Sequence, residues 1–123
     1  MRSIFAIVTA VTIFGLATVS SAQKLTERYI PIGKSPGLSD KVRVIGEIES
    51  VNPQARTITI RYASGSVTVK IADKTRIWRD RSAVKATNLD GAFDDLQKGR
   101  RVECKFEDPA RKDVAEWIKV EVG

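Results

Sequence analysis

Residues 56–71 read RTITIRYASGSVTVKI, and this stretch decides the fold class. Apolar side chains recur at every second position on both sides of a Ser-Gly pair: Ile58, Ile60, Tyr62, Val67, Val69 and Ile71. Strict alternation is typical of a half-buried strand, and the Ser64-Gly65 pair is typical of a tight turn. A two-residue turn there pairs Tyr62 with Val67 and puts every apolar side chain on one face. The stretch therefore predicts a β-hairpin with one face on a core.

Further alternating segments lie on both sides of the hairpin. Residues 41–49 predict a strand with Gly46 at a bend or bulge, and residues 75–78 predict a short strand or edge. Asp90-Gly91 opens a short helix, and residues 102–106 and 113–122 predict two more strands. Three strands, a helical turn and two strands are the order of an OB-type barrel. We therefore predict an all-β fold, a small five- to six-stranded OB-like barrel with one short helix; a meander sandwich is the alternative.

The N-terminal residues have the layout of a signal peptide. Arg2 is followed by an uncharged stretch at 4–19 and by Ser20-Ser21-Ala22, which predicts cleavage after Ala22. The sequence thus predicts a signal peptide at 1–22 and a periplasmic or secreted protein. Residues 23–40 contain spaced Pro and Gly, and predict an extended, mobile arm before a barrel domain at 41–123. The apolar residues of this arm can dock either on the barrel or on a partner.

Charge and cysteine content restrict the partners and the chemistry. The 21 Lys and Arg exceed the 15 Asp and Glu, which gives a formal net charge of +6. This modest excess fits either a mixed soluble surface or attraction to an anionic partner. The one cysteine, Cys104, excludes a disulfide within the chain. Its strand parity between Val102 and Phe106 predicts a buried, inert thiol.

Six short sequence segments follow one another along the chain. They are Gly46-Glu-Ile-Glu-Ser-Val-Asn, Arg56-Thr-Ile-Thr-Ile, Val67-Thr-Val, Asp95-Leu-Gln-Lys-Gly, Arg101-Val-Glu and Ala115-Glu-Trp-Ile-Lys-Val. Over residues 42–122 the chain resembles a family of bacterial exported OB-like barrel domains of unknown function. It is also distantly similar to the periplasmic copper and silver chaperone barrel. The resemblance implies a periplasmic or surface location and no activity.

The chaperone barrel carries His and Met ligands and a Trp beside the metal. This chain has no His, and its one Met is Met1. Soft metals need imidazole, thiolate or thioether donors, so we predict no metal site and no cofactor. Without His there is no base to activate Cys104, so we predict no catalytic set and a protein that is not an enzyme. Helix capping accounts for the polar group of Asn88, Asp90, Asp94 and Asp95.

One group of residues is typical of a binding surface. Trp78 stands among Arg76, Arg79 and Arg81, and a Trp beside several Arg is a common anchor for a protein or an anionic polymer. We therefore predict a non-enzymatic envelope module that binds through these four residues; the alternative is that Trp78 covers the barrel end as part of a minor core. Nucleic-acid binding is the second function considered, but the polar hairpin face lacks the aromatic platforms of single-strand binders.

Overall fold

The computed structural model describes residues 26–123, so the predicted signal peptide and the first residues of the arm lie outside the described part. No helix within that part is long and apolar enough to cross a membrane. Seven strands follow one another: β1 Arg43–Asn52, β2 Thr57–Tyr62, β3 Gly65–Lys70, β4 Arg76–Asp80, β5 Leu89–Asp90, β6 Arg101–Phe106 and β7 Ala115–Glu121. Two single 3₁₀ turns, Ser82–Val84 and Phe93–Asp95, flank β5.

All seven strands belong to one mixed sheet. Their order is β3-β2-β1-β6-β7-β4-β5, and every pair is antiparallel except β4 with β7. A single bridge from Lys70 to Val114 links the end of β3 to the residue before β7, and the sheet is not closed. The predicted all-β, OB-like barrel is confirmed. The count exceeds the predicted five to six strands because β5 has two residues, too few to show a periodicity.

The hairpin has the predicted faces but a different register. Tyr62 pairs with Gly65, Ile60 with Val67 and Ile58 with Val69, so the turn is at Ala63-Ser64 and the predicted register is wrong by two residues. A shift of two preserves the side of each side chain. The alternation therefore cannot distinguish the two registers, and the predicted inward face is nonetheless correct.

Gly46 marks a close approach of two strands. A Cβ atom at this position would lie 2.1 Å from the carbonyl oxygen of Arg61, which no side chain tolerates. The irregularity that the sequence predicts at Gly46 lies instead between Ile48 and Ser50, where the pairing with β2 shifts by one residue. Gly46 therefore allows β2 to cross β1 closely, and the bulge follows it.

The core is inside the curved sheet. Ile71, Val122 and Leu96, which directly follow β3, β7 and the second 3₁₀ turn, belong to it. Its other members are inward residues of the strands: Val44, Ile48, Ile58, Ile60, Val69, Val102, Cys104, Phe106, Ala115, Ile118 and Val120. Cys104 is fully buried, as predicted. Burial of this apolar surface is the main stabilising contribution to the domain.

A second buried layer lies on the other side of the sheet. We use the name outer face for the five side chains that point away from the core and are nevertheless buried: Trp78, Asp80, Glu103, Trp117 and Lys119. The arm covers them, with Ile32 4% exposed and Ser35 8% exposed. The arm predicted to be mobile thus packs on the barrel from Glu27 onward, the first of the two alternatives, because the outer face offers it polar partners as well as two tryptophans.

Candidate functional site

The predicted anchor Trp78 is covered. Its exposed fraction is 4%, and its ring centroid lies 5.5 Å from that of Trp117 at an interplanar angle of 36°. Arg76 shares its side of β4 but is exposed, and the two residues line one shallow cavity of about 510 Å³ together with Lys74 and Asp90. The minor-core alternative for Trp78 therefore describes its position, and the cations Arg76 and Lys74 beside it are exposed.

The other two predicted residues lie elsewhere. Arg79 is on the opposite side of β4 from Trp78, and its Nε is 3.5 Å from Asp95 Oδ1. Arg81 follows the strand, and its backbone N–H donates to Asn88 Oδ1 at 2.8 Å. The structure brings Arg76 and Trp78 together but does not assemble the four residues into one surface.

The sheet leaves an opening that sequence reasoning missed. We use the name seam cleft for a cavity of about 520 Å³ where the hairpin turn, the start of β1 and the β6–β7 connection meet. It is lined by Asp40, Arg43, Val44, Ile45, Tyr62, Ala63, Ser64, Val67, Phe106 and Lys112. Buried Phe106 and half-buried Tyr62 and Val67 make part of its wall apolar. The seam cleft is therefore a place where the core can be reached from solvent.

The charges around the seam cleft are unequally paired. The guanidinium group of Arg43 lies 2.5 Å from Glu103 Oε2 and 3.3 Å from Asp40 Oδ1, so its charge is compensated. Lys112 is exposed and has no ion pair with any residue of 26–123. An apolar wall beside an unpaired cation suits a group that is apolar at one end and acidic at the other.

The hairpin surface is less suited to nucleic acid. Arg61 pairs with Glu47 at 3.3 Å, and the hydroxyl of Ser66 donates to Glu49 at 3.2 Å. Thr59 and Thr68 bond each other at 2.9 Å. Acidic side chains from β1 thus meet this surface, and a phosphate backbone would be repelled by them.

The reactive groups of the described chain are not arranged for chemistry. Cys104 is buried, and desolvation, aided by the neighbouring charge of Glu103, raises the pKa of its thiol to about 12. Within residues 26–123 no three His, Cys, Asp or Glu side chains come together as metal ligands. A thiol held protonated in a core is neither a nucleophile nor a soft-metal ligand.

Asp80 has a structural part in the outer face. Burial acts to raise the pKa of its carboxyl group, but the backbone N–H of Ile32 and the N–H of Ser82 donate to it and hold that pKa below its usual value. The charge of Lys119 acts in the same direction. Asp80 is therefore ionised where the arm meets β4.

Comparisons with known proteins return similarity of fold alone. No protein-family model matches the chain, and no curated protein does. A tryptophan-to-alanine variant of CusF from Escherichia coli with Cu(II) is 14% identical, with a TM-score of 0.46 over 64% of this chain and 89% of that one. Ag(I) CusF gives 14% identity and a TM-score of 0.44 over 64% of this chain and 95% of the other. CusF is the copper and silver chaperone barrel that the sequence resembles, so that resemblance is confirmed; the resemblance to an exported-domain family stays a prediction.

The residues of this chain do not fit the Cu(II) and Ag(I) of those CusF structures. The sequence has no His, and its one Met, Met1, precedes the described residues. The one thiol lies in the core. Copper or silver binding therefore has no donor set in the described part of this protein.

Proposed function

We propose that this protein is an exported, non-enzymatic binding module of the cell envelope, and that its partner binds at the seam cleft. The observation that carries the proposal is the cleft itself, an opening of about 520 Å³ with a partly apolar wall and with Lys112 at its rim. This volume is within the range that ligand sites occupy. Export is supported by the signal-peptide layout of residues 1–22.

The chemistry of the thiol and the lack of histidine support a binding role. The sequence offers no imidazole, and its thiol is buried with a raised pKa, so a catalytic set built on histidine or on a thiolate has no members here. The proposed partner is a protein that presents an apolar side chain next to an acidic one. An anionic envelope polymer that contacts Arg76 beside Trp78, with Arg79 and Arg81 further along the chain, is the other proposed contact.

In-cell photo-crosslinking tests this proposal. A photo-reactive amino acid is placed at Ser64 on the cleft rim, at Arg76 on the predicted surface, and at Thr68 on the hairpin surface as a control. A discrete protein adduct from position 64, absent at positions 76 and 68, is the expected result. An adduct from position 76 alone moves the site to the predicted surface, and no adduct at any position refutes the binding role.

Salt dependence separates the kinds of partner. The affinity of a phosphate polymer falls steeply and log-linearly with salt concentration. A contact in the seam cleft, which combines apolar burial with one cation, loses about tenfold or less between 50 and 500 mM salt, because most of its free energy comes from burial. A log-log slope steeper than about −3 contradicts the cleft and favours an anionic polymer.

A further inference from the structure

The arm is held by side chains of the outer face in the way that a receptor holds a peptide. The backbone N–H of Ile32 donates to Asp80 Oδ2 at 2.8 Å, and that of Gly33 donates to Glu103 Oε1 at 3.1 Å. Lys119 Nζ lies 2.8 Å from Glu27 Oε1. Each contact joins an arm group to a sheet side chain. The carboxylates of the face accept hydrogen bonds from the backbone N–H groups of the arm, and the ammonium group of Lys119 pairs with the carboxylate of Glu27.

Several further contacts extend this recognition. Lys119 Nζ donates to Ser35 Oγ at 3.1 Å and lies 4.7 Å from the centroid of the Trp117 ring. At the other end of the arm, Asn88 Nδ2 donates to the carbonyl of Arg28 at 3.1 Å. These positions define a pattern of an acid, an apolar residue followed by Gly, and a Ser at residues 27, 32–33 and 35.

The outer face is a separate layer and not an extension of the core. Trp78, Trp117 and Ile32 are each 4% exposed, yet none of them belongs to the main core cluster. Lys119 and Glu103 are fully buried on this side. Without an arm, these two charges and two tryptophans would lie on a bare sheet, so the face needs an occupant.

The connection between the arm and β1 does not determine whether the arm lies on the outer face of its own chain or on that of a second copy. Pro36, Gly37, Ser39, Asp40 and Lys41 are exposed. Gly37 has a φ of +78°, and nothing lies within 4 Å of the place where its Cβ would be. Because the contacts of the arm are made by residues 27–35, this open connection can lead the arm to its own face or to a neighbouring one.

We propose that the outer face is a binding site for a peptide segment, and that the arm of a second copy of this chain occupies it in trans. The arm of a second copy has the same sequence, so it can make each of the contacts that residues 27–35 make with the face. Reciprocal exchange of identical elements gives a twofold dimer that keeps every contact. The arm of the second copy competes with the arm of the same chain, whose effective concentration is on the order of millimolar because it is tethered. Binding in trans therefore requires a high protein concentration, or a face from which the chain's own arm has dissociated.

The test detects only docking between two chains. A donor chain carries Arg28→Cys in an otherwise intact arm, and an acceptor chain carries Asp90→Cys; in the native protein Arg28 Nη1 lies 3.0 Å from Asp90 Oδ1. The acceptor also carries Ile32→Asp, which removes its own arm from its face. A short bismaleimide then joins positions 28 and 90 only when the donor arm lies on the acceptor face, and buried Cys104 is shielded from the reagent.

The expected result is a covalent heterodimer whose yield, at about 1 mM protein, is at least tenfold higher than with an acceptor whose arm is intact. An acceptor with Tyr29→Asp keeps its arm docked, because Tyr29 is 51% exposed, and gives no rise. An acceptor with Glu27→Gln and Ser35→Ala weakens the arm without adding a charge, and is expected to give at least a threefold rise. Equal yields from emptied and intact acceptors overturn the proposal, whatever the outcome at the seam cleft.

Discussion

Lys119 connects the arm to the sheet. The change in the free energy of unfolding caused by Lys119→Met measures how much this connection stabilises the domain. Its ammonium group is fully buried, 2.8 Å from Glu27 and 3.9 Å from Glu103. Removing one partner of a buried pair costs about 3–5 kcal/mol. Glu103 keeps its contact with Arg43 at 2.5 Å, and Glu27 can regain water because its side chain is 20% exposed. We therefore expect the lower end, a loss of about 3 kcal/mol in the free energy of unfolding.

Thermal and urea unfolding of residues 23–123 give this value. For a domain of this size, a loss of about 3 kcal/mol lowers Tm by roughly 12–24 °C. Lys105→Met is the matched control, since Lys105 lies on the neighbouring strand and pairs with Glu116 at 3.1 Å but keeps 26% of its side chain exposed. The control is expected to cost less than about 1 kcal/mol.

A double-mutant cycle isolates the contact with the arm. Lys119→Met and Glu27→Gln are expected to couple by about 1 kcal/mol or more, because their groups are in direct contact. Additive effects, or a cost for Lys119→Met no greater than for Lys105→Met, would show that Lys119 is in water and that the arm is undocked.

Four further expectations rest on separate observations. Ile32→Ala should cost about 2–4 kcal/mol because Ile32 is 4% exposed, whereas Tyr29→Ala should cost under about 0.5 kcal/mol; equal costs in urea unfolding would contradict a docked arm. Gly46→Ala should prevent stable folding, judged by circular dichroism, because its Cβ would meet Arg61 O at 2.1 Å; a stable variant would contradict this approach of β1 and β2. Cys104 should react with a maleimide at pH 8 no faster than the protein unfolds, since its pKa is about 12; fast labelling of the native protein would place it outside the core. Because the pKa of Asp80 is lowered in the folded protein, its contribution to stability is complete above the unfolded Asp pKa of about 3.9 and is lost as pH falls through the folded pKa. Tm measured from pH 6 to 3 should therefore fall less for Asp80→Asn than for the wild type. Parallel Tm curves for the two proteins would exclude Asp80 as a source of acid sensitivity.

The sequence predicts the strands and their faces because alternation is local information. The hairpin illustrates the limit: turns at Ala63-Ser64 and at Ser64-Gly65 keep the same residues inward, so parity alone cannot choose the register. Trp117 is out of phase with Ile118 and Val120, and it lies on the outward side of its strand. Strand parity does not show whether another part of the chain covers the outward side of the sheet.

The cover of the outer face comes from contacts between distant parts of the chain. Lys119 lies 92 positions from Glu27, and its strand parity alone indicates a solvated lysine. One sequence feature pointed to the cover: two tryptophans, at 78 and 117, on outward positions of strands. A solvated sheet face rarely presents two large apolar rings side by side. The seam cleft had no sequence signal, because it depends on where β3 and the β6–β7 connection separate.

A matched pair of charge reversals distinguishes a partner at the seam cleft from a partner on the predicted surface. Lys112→Glu changes the unpaired cation at the rim of the cleft, and Arg76→Glu changes another exposed cation, on the predicted surface. The measurement is the affinity of the crosslinked partner for each purified variant by calorimetry. If the partner binds at the seam cleft, Lys112→Glu weakens binding by about tenfold, or about 1.4 kcal/mol, while Arg76→Glu changes it by less than about twofold. Weaker binding by Arg76→Glu with unchanged binding by Lys112→Glu would exclude the seam cleft and place the partner on the predicted surface.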